Sequence, residues 1–243
     1  MTTTALSTPA TDSRRGLPPA SRQPIVYPES DGRPMADNTR QFDCIVMIQG
    51  GLAALFADRP DVFVAGDLLW YPVEGQPHIR AAPDAMVVFG RPPGHRGSYI
   101  QHEEDHIAPQ VVFEVLSPGN TPAEMRKKRE FYDRYGVEEY YEYDPDRGTL
   151  KGWLRREGRL EPIASMEGWV SPLLGVRFGL EGTDLALYHP DGQRFETFVE
   201  QARRAKAERQ RAEAERQRAE AAEQRIMRLA ERLRRLGVDP DAL

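Results

Sequence analysis

The chain has 243 residues, 40% of them hydrophobic and 9% aromatic, which is enough for one large domain or two small ones with a real core. Its net charge of -5 is unevenly spread: residues 1–200 carry 21 Lys+Arg against 30 Asp+Glu, whereas residues 201–236 carry 12 against 6. An acidic body excludes a general nucleic-acid-coating surface, but it leaves room for phosphate chemistry at a carboxylate cluster neutralised by divalent cations.

No segment approaches the roughly 20 apolar residues that span a bilayer, and the N-terminus lacks the apolar stretch of a secretory signal, so a cytoplasmic address without a membrane partner is expected. The one cysteine, Cys44, lies in an apolar helical run and reads as a small buried hydrophobe.

Residues 1–24 are rich in Ser, Thr and Pro without an apolar period and read as a disordered leader. Asn38 is a good N-cap, and Phe42, Ile45, Val46, Ile48, Leu52, Leu55 and Phe56 have helical spacing up to Ala57, with Pro60 as the stop. DVFVAGDLLWYP (61–72) reads as a strand with a bulge or bend at Gly66, and PDAMVVFG (83–90) and QVVFEVLS (110–117) as two more. Thr121-Pro122 is an N-cap followed by proline at the first helical position, opening a helix that Gly136 closes. VEEYYEYDPDRG is a strand and turn, 149–165 a hairpin around Glu157-Gly158, and 171–193 one or two further strands. The tyrosines at 132, 135, 140, 141 and 143 are expected in the core and sheet. This order predicts a mixed α/β sheet domain over 25–194.

From Phe195 the character changes. AERQRAE occurs at 207–213 and again at 214–220, with no glycine or proline until Gly237. A charged helix is expected over 195–236, followed by a frayed tail at 237–243. Ile226, Leu229, Leu233 and Leu236 form a plausible leucine seam, but the earlier a/d positions offer only Ala and Glu, so a weak coiled coil and a homodimer through its final turns are the expectation.

Two acids sit against apolar strands. Glu114 is embedded in VVFEV, and Asp84 directly precedes AMVVF. A buried unpaired charge costs several kcal/mol, so such a residue is paired, protonated or metal-bound. Alternation puts Val112, Glu114 and Leu116 on one face and Val111, Phe113, Val115 and Ser117 on the other. If the strand ending at Asp84 lies alongside, two carboxylates converge and repel unless they share a proton or a divalent metal. Lys127 and Lys128, on the following helix, are candidates to complete a hydrolytic site. His102 and His106 are four apart, but in a loop, and are not read as a zinc site.

PD (83–84), EVLSP (114–118), KREFY (128–132), GVEEY (136–140) and DP (144–145), in that order, resemble the Uma-type family of restriction-endonuclease-like proteins, a domain of unknown function in the PD-(D/E)XK nuclease superfamily. The resemblance implies a restriction-endonuclease-like α/β sheet flanked by helices and a Mg²⁺- or Mn²⁺-dependent endonuclease. Nucleic acid is the implied partner, with DNA expected ahead of RNA. It places Asp84 and Glu114 as metal-binding acids, with the Val115 carbonyl as a third ligand. The superfamily's lysine two residues after the second acid is Leu116 here, so the resemblance assigns the lysine role to Lys128, with Lys127 in reserve. Asp43 and Asp67 are candidates for an additional acid. Two other readings stand beside this one: a weakly active or inactive scaffold of the same fold that associates through its C-terminal helix, and a hydrolase of another substrate, such as a glycosidase, using the two carboxylates.

Overall fold

A computed structural model describes residues 25–32 and 34–236. The segments expected to be a leader (1–24) and a tail (237–243) lie outside the described residues. Six strands form one mixed sheet: Val62–Ala65 (β1), Ala85–Phe89 (β3), Val111–Val115 (β5), Glu139–Asp144 (β6), Thr149–Arg156 (β7) and Arg159–Pro162 (β8), in the order β1-β3-β5-β6-β7-β8. Within this sheet only β5 and β6 are parallel. Parallel neighbours need a crossover, which the helix Pro122–Arg134 (α2) supplies. Trp70–Tyr71 (β2) and Tyr99–Ile100 (β4) form a small parallel pair, and Arg177–Glu181 (β9) and Asp184–Tyr188 (β10) an antiparallel hairpin.

Period-two alternation sorts the sheet into two cores. Val111, Phe113 and Val115 pack with Ile45, Ile48 and Leu52 of the helix Thr39–Leu55 (α1) and with Phe178 and Leu187 of the β9–β10 hairpin. On the opposite face, Met86, Val88, Val112 and Tyr140 pack with Tyr132 of α2. Tyr132, Tyr140, Tyr141 and Tyr143 are all buried, as their place among strand and helix residues implied.

Three local expectations are realised through their chemistry. Asn38 caps α1 by accepting from the Gln41 main-chain nitrogen. Thr121 and Glu124 form a reciprocal capping box on α2, with proline in the first turn. Glu157 and Gly158 have φ of 48° and 82°, the paired positive values of a tight two-residue hairpin turn, and join β7 to β8.

Two expectations need correction. The stretch 61–72 is not one strand, because the chain turns at Gly66 and Asp67 (φ 45°) and sends Trp70 and Tyr71 into the other pair. The buried stripe of α1 runs through Gln41, Ile45, Ile48 and Leu52, leaving Phe42 and Val46 exposed. Phe195 also belongs to the core: it is 2% exposed and packs over Gly51 of α1. The C-terminal helix, Phe198–Arg235 (α3), starts with a Thr197–Glu200 capping box and buries no residue. Among the described residues, no helix is long and apolar enough to cross a membrane.

Candidate active site

The antiparallel register of β3 on β5 pairs Ala85 with Phe113 and Met86 with Val112. Carried on by one residue, it sets Asp84 opposite Glu114. Both side chains then share the α2 face of the sheet, because both have the parity of Met86 and Val112. The strand ladder stops there, and Asp84 takes over: its Oδ2 accepts from the Val115 main-chain nitrogen at 2.6 Å. Asp84 is 9% exposed and Glu114 2%.

Glu114 is held on both oxygens. Lys128 Nζ donates to Oε2 at 2.6 Å, and the Tyr132 hydroxyl donates to Oε1. Lys128 and Tyr132 are four apart on α2 and so lie on one helix face, one turn from each other. The capping box at Thr121 fixes where that turn begins.

Asp84, by contrast, has no cation at bonding distance among the described residues. Burial, and then the negative charge of Glu114, hold its carboxyl well above the usual carboxylate range, against the opposing pull of Lys128 and the Val115 N–H. Asp67 is also raised, by burial first and then by Asp31.

These groups line one cavity of about 620 Å³, with Asp31, Asp37, Asp67, Asp84 and Glu114 as its acids and Lys127 and Lys128 on the α2 wall. The structure separates the two lysines, since Lys128 bonds Glu114 while Lys127 is exposed at the rim. Leu116 does not line this cavity but a neighbouring one. Of the two extra acids considered, Asp67 lines the cavity. Asp43 does not; it is exposed, off the buried stripe of α1.

Two contributors escaped the sequence reading. Gln41 Nε2 donates to the Val115 carbonyl at 2.8 Å and is itself 6% exposed. The signal for it was present: Gln41 lies four before Ile45 and seven before Ile48, a polar residue on the apolar stripe of α1. Tyr132 belongs to the core as expected, but its hydroxyl is also the second donor to Glu114. Cys44 has no part here, and burial pushes its thiol up to about 11, which leaves it a poor nucleophile at neutral pH.

In chemical terms the arrangement offers two adjacent buried carboxylates at the floor of an open cleft, one of them destabilised as an anion. A main-chain carbonyl lies beside them, and a lysine sits within reach. Hard oxygen donors of this kind suit Mg²⁺ or Mn²⁺ rather than zinc. A divalent charge would relieve the repulsion that Asp84 feels from Glu114.

A comparison with curated proteins returned no match. Among solved structures, a similar one is that of a "putative nuclease belonging to DUF820" from Anabaena variabilis ATCC 29413; it is 15% identical, with a TM-score of 0.42 over 62% of this chain and 84% of that one. The profile of the Uma2 family, described as "Putative restriction endonuclease", matches residues 47–188, a span that includes Asp84, Glu114 and Lys128. The chain belongs to the Uma2 family.

Proposed function

We propose that the protein is a divalent-metal-dependent endonuclease that hydrolyses phosphodiester bonds in the cavity between β3, β5 and α2. The observation that carries this reading is the cross-strand placement of Asp84 beside Glu114, with Lys128 reaching the same carboxylate. Asp84, Glu114 and the Val115 carbonyl are the groups that would hold Mg²⁺ or Mn²⁺. Such an ion supplies Lewis-acid polarisation of a phosphoryl oxygen and makes water a stronger acid.

The chain's own residues do the rest. Asp84, anchored by the Val115 N–H, keeps one carboxylate oxygen for the cation. Tyr132 orients Glu114 from behind, and Gln41 pins the Val115 carbonyl so that the strand end stays in register. Lys128 Nζ, bonded to Glu114 and facing the cavity, orients the attacking water and offsets charge developing on the phosphoryl oxygens. DNA is the proposed substrate, and the nuclease unit is residues 25–194.

One observation favours a second reading. Both oxygens of Glu114 already have partners, as in a structural ion pair, so a catalytically silent scaffold of the same fold accounts for that contact equally well.

The deciding experiment is cleavage of supercoiled plasmid, single-stranded DNA and RNA with Mg²⁺ or Mn²⁺. Wild type is run beside Asp84→Ala, Glu114→Ala and Lys128→Ala, with folding checked by circular dichroism. Metal-dependent cutting lost in all three folded variants supports the nuclease. Absence of cutting on every substrate by a folded, metal-supplied wild type sinks it and leaves the scaffold.

A further inference from the structure

We propose that the cavity beside the candidate active site is a backbone-phosphate subsite in which Arg126 and Arg129 bind phosphates flanking the scissile one. This rests on the phosphodiester reading of the first cavity. Residues 126–129 read Arg-Lys-Lys-Arg within α2. At about 100° per residue, four consecutive side chains cannot share one face. Here they divide: Lys127 and Lys128 line the first cavity, and Arg126 and Arg129 line a second of about 580 Å³. Ser117 and Asn120 line both, so the two cavities meet around the loop that follows β5.

The second cavity also contains acids, of which Glu142 and Asp144 are held by hydrogen bonds and Asp146 lies near an arginine of α1. Glu142 accepts from Lys151 at 3.1 Å and from the Tyr140 hydroxyl. Asp144 Oδ1 accepts the main-chain N–H groups of Asp146 and Arg147. Asp146 faces Arg40 at 3.9 Å. Among the described residues, no carboxylate lies within ion-pair distance of Arg126 or Arg129. The Arg129 guanidinium lies 4.9 Å over the Trp153 ring, which holds its plane at the cavity wall while leaving its edge for an anion.

In an acidic body, two un-neutralised arginines next to a phosphodiester-cleaving pocket fit a chain of phosphates, not a single one. A lone phosphate would occupy a small part of the first cavity, of about 620 Å³, and has no use for the second. A polynucleotide passing over the Ser117–Asn120 loop uses both.

The test is binding, measured by fluorescence anisotropy in EDTA with labelled single-stranded DNA, duplex DNA and RNA across a salt titration. Wild type is compared with Arg126→Gln/Arg129→Gln and with Arg126→Lys/Arg129→Lys. Each lost phosphate contact flattens the slope of log K against log salt by about 0.7 for single strands and about 0.9 for duplex DNA. The glutamine variant is therefore expected to bind more weakly, with a slope shallower by about 1.4–1.8, while the lysine variant keeps the wild-type slope. Thermal melting shows that neither variant has lost its fold. An unchanged affinity and slope in the glutamine variant overturns the subsite. Arginine-dependent binding without metal-dependent cutting would remove the nuclease reading and leave the subsite standing; cutting that ignores both arginines would do the reverse.

Discussion

Asp84 Oδ2 accepts a hydrogen bond from the Val115 main-chain nitrogen at 2.6 Å, tying the carboxylate before β3 to the end of β5. That bond holds Asp84 beside Glu114 although the two acids repel, and the repulsion has consequences for stability.

Asp84→Asn is expected to raise stability near neutral pH. Burial and Glu114 raise the folded-state pKa of Asp84. The folded protein therefore keeps that proton at a pH where the unfolded chain has released it. This contribution is fully present below the ordinary carboxylate range and is lost as pH rises through the folded-state value. Asparagine can still accept from Val115 and never ionises. A gain of about 0.5–2 kcal/mol is expected, at about 2–4 °C of Tm per kcal/mol. Melting curves across pH should show it shrinking towards zero in acid; an equal gain at every pH would exclude the ionisation of Asp84 as its cause.

Cation binding should release protons. A group held protonated by burial and a like charge must lose its proton to become a ligand. Calorimetric titration with Mn²⁺ in two buffers of different ionisation enthalpy is expected to show net proton release in mildly acidic solution. Asp84→Asn should abolish that release, together with most of the affinity.

Tyr132→Phe removes the second donor from a carboxylate that is 2% exposed. Hydrogen bonds to charged groups contribute about 1.5–3 kcal/mol, so a loss in that range is expected from urea denaturation with an unchanged m-value. Glu114→Gln, which keeps an acceptor for Tyr132 and lets the partly exposed Lys128 turn to water, should cost less than Glu114→Ala.

Gly51 lets α1 close over Phe195. A Cβ at that position would overlap the phenyl ring, which is itself buried in the core. Gly51→Ala is expected to destabilise the domain by about 1–3 kcal/mol. Adding Phe195→Leu should recover part of this, giving a coupling free energy in a double-mutant cycle.

Self-association through α3 is expected to be weak and confined to its final turns. Ile226, Leu229 and Leu236 are exposed there, but in the same register Arg204, Arg211, Arg218, Arg225 and Arg232 occupy one flanking position of every heptad. Two parallel copies would face Arg211 with Arg216 of the other copy. Sedimentation equilibrium should give a mass that rises with concentration. Leu229→Glu/Leu233→Glu should hold it at the monomer, and Arg211→Glu should strengthen association by a few tenths of a kcal/mol per pair. A mass that stays monomeric at every concentration would remove the dimer.

What the amino-acid order determined by itself was local. The Thr121 cap and proline, the Gly136 stop, the Glu157-Gly158 turn and the alternation in VVFEV each depend on neighbours a few residues away, and each is found where the sequence put it. Alternation also told which face Glu114 takes. It could not tell which strand runs alongside, because pairing partners about thirty residues apart are chosen by the packing of the whole sheet. Tertiary structure therefore decided that Asp84 stands opposite Glu114, that Gln41 and not Asp43 reaches the site from α1, and that the chain leaves the sheet at Gly66. It also decided that the Arg-Lys-Lys-Arg run divides between two cavities, since helical rotation parts the side chains but only the loop after β5 sets what each pair meets.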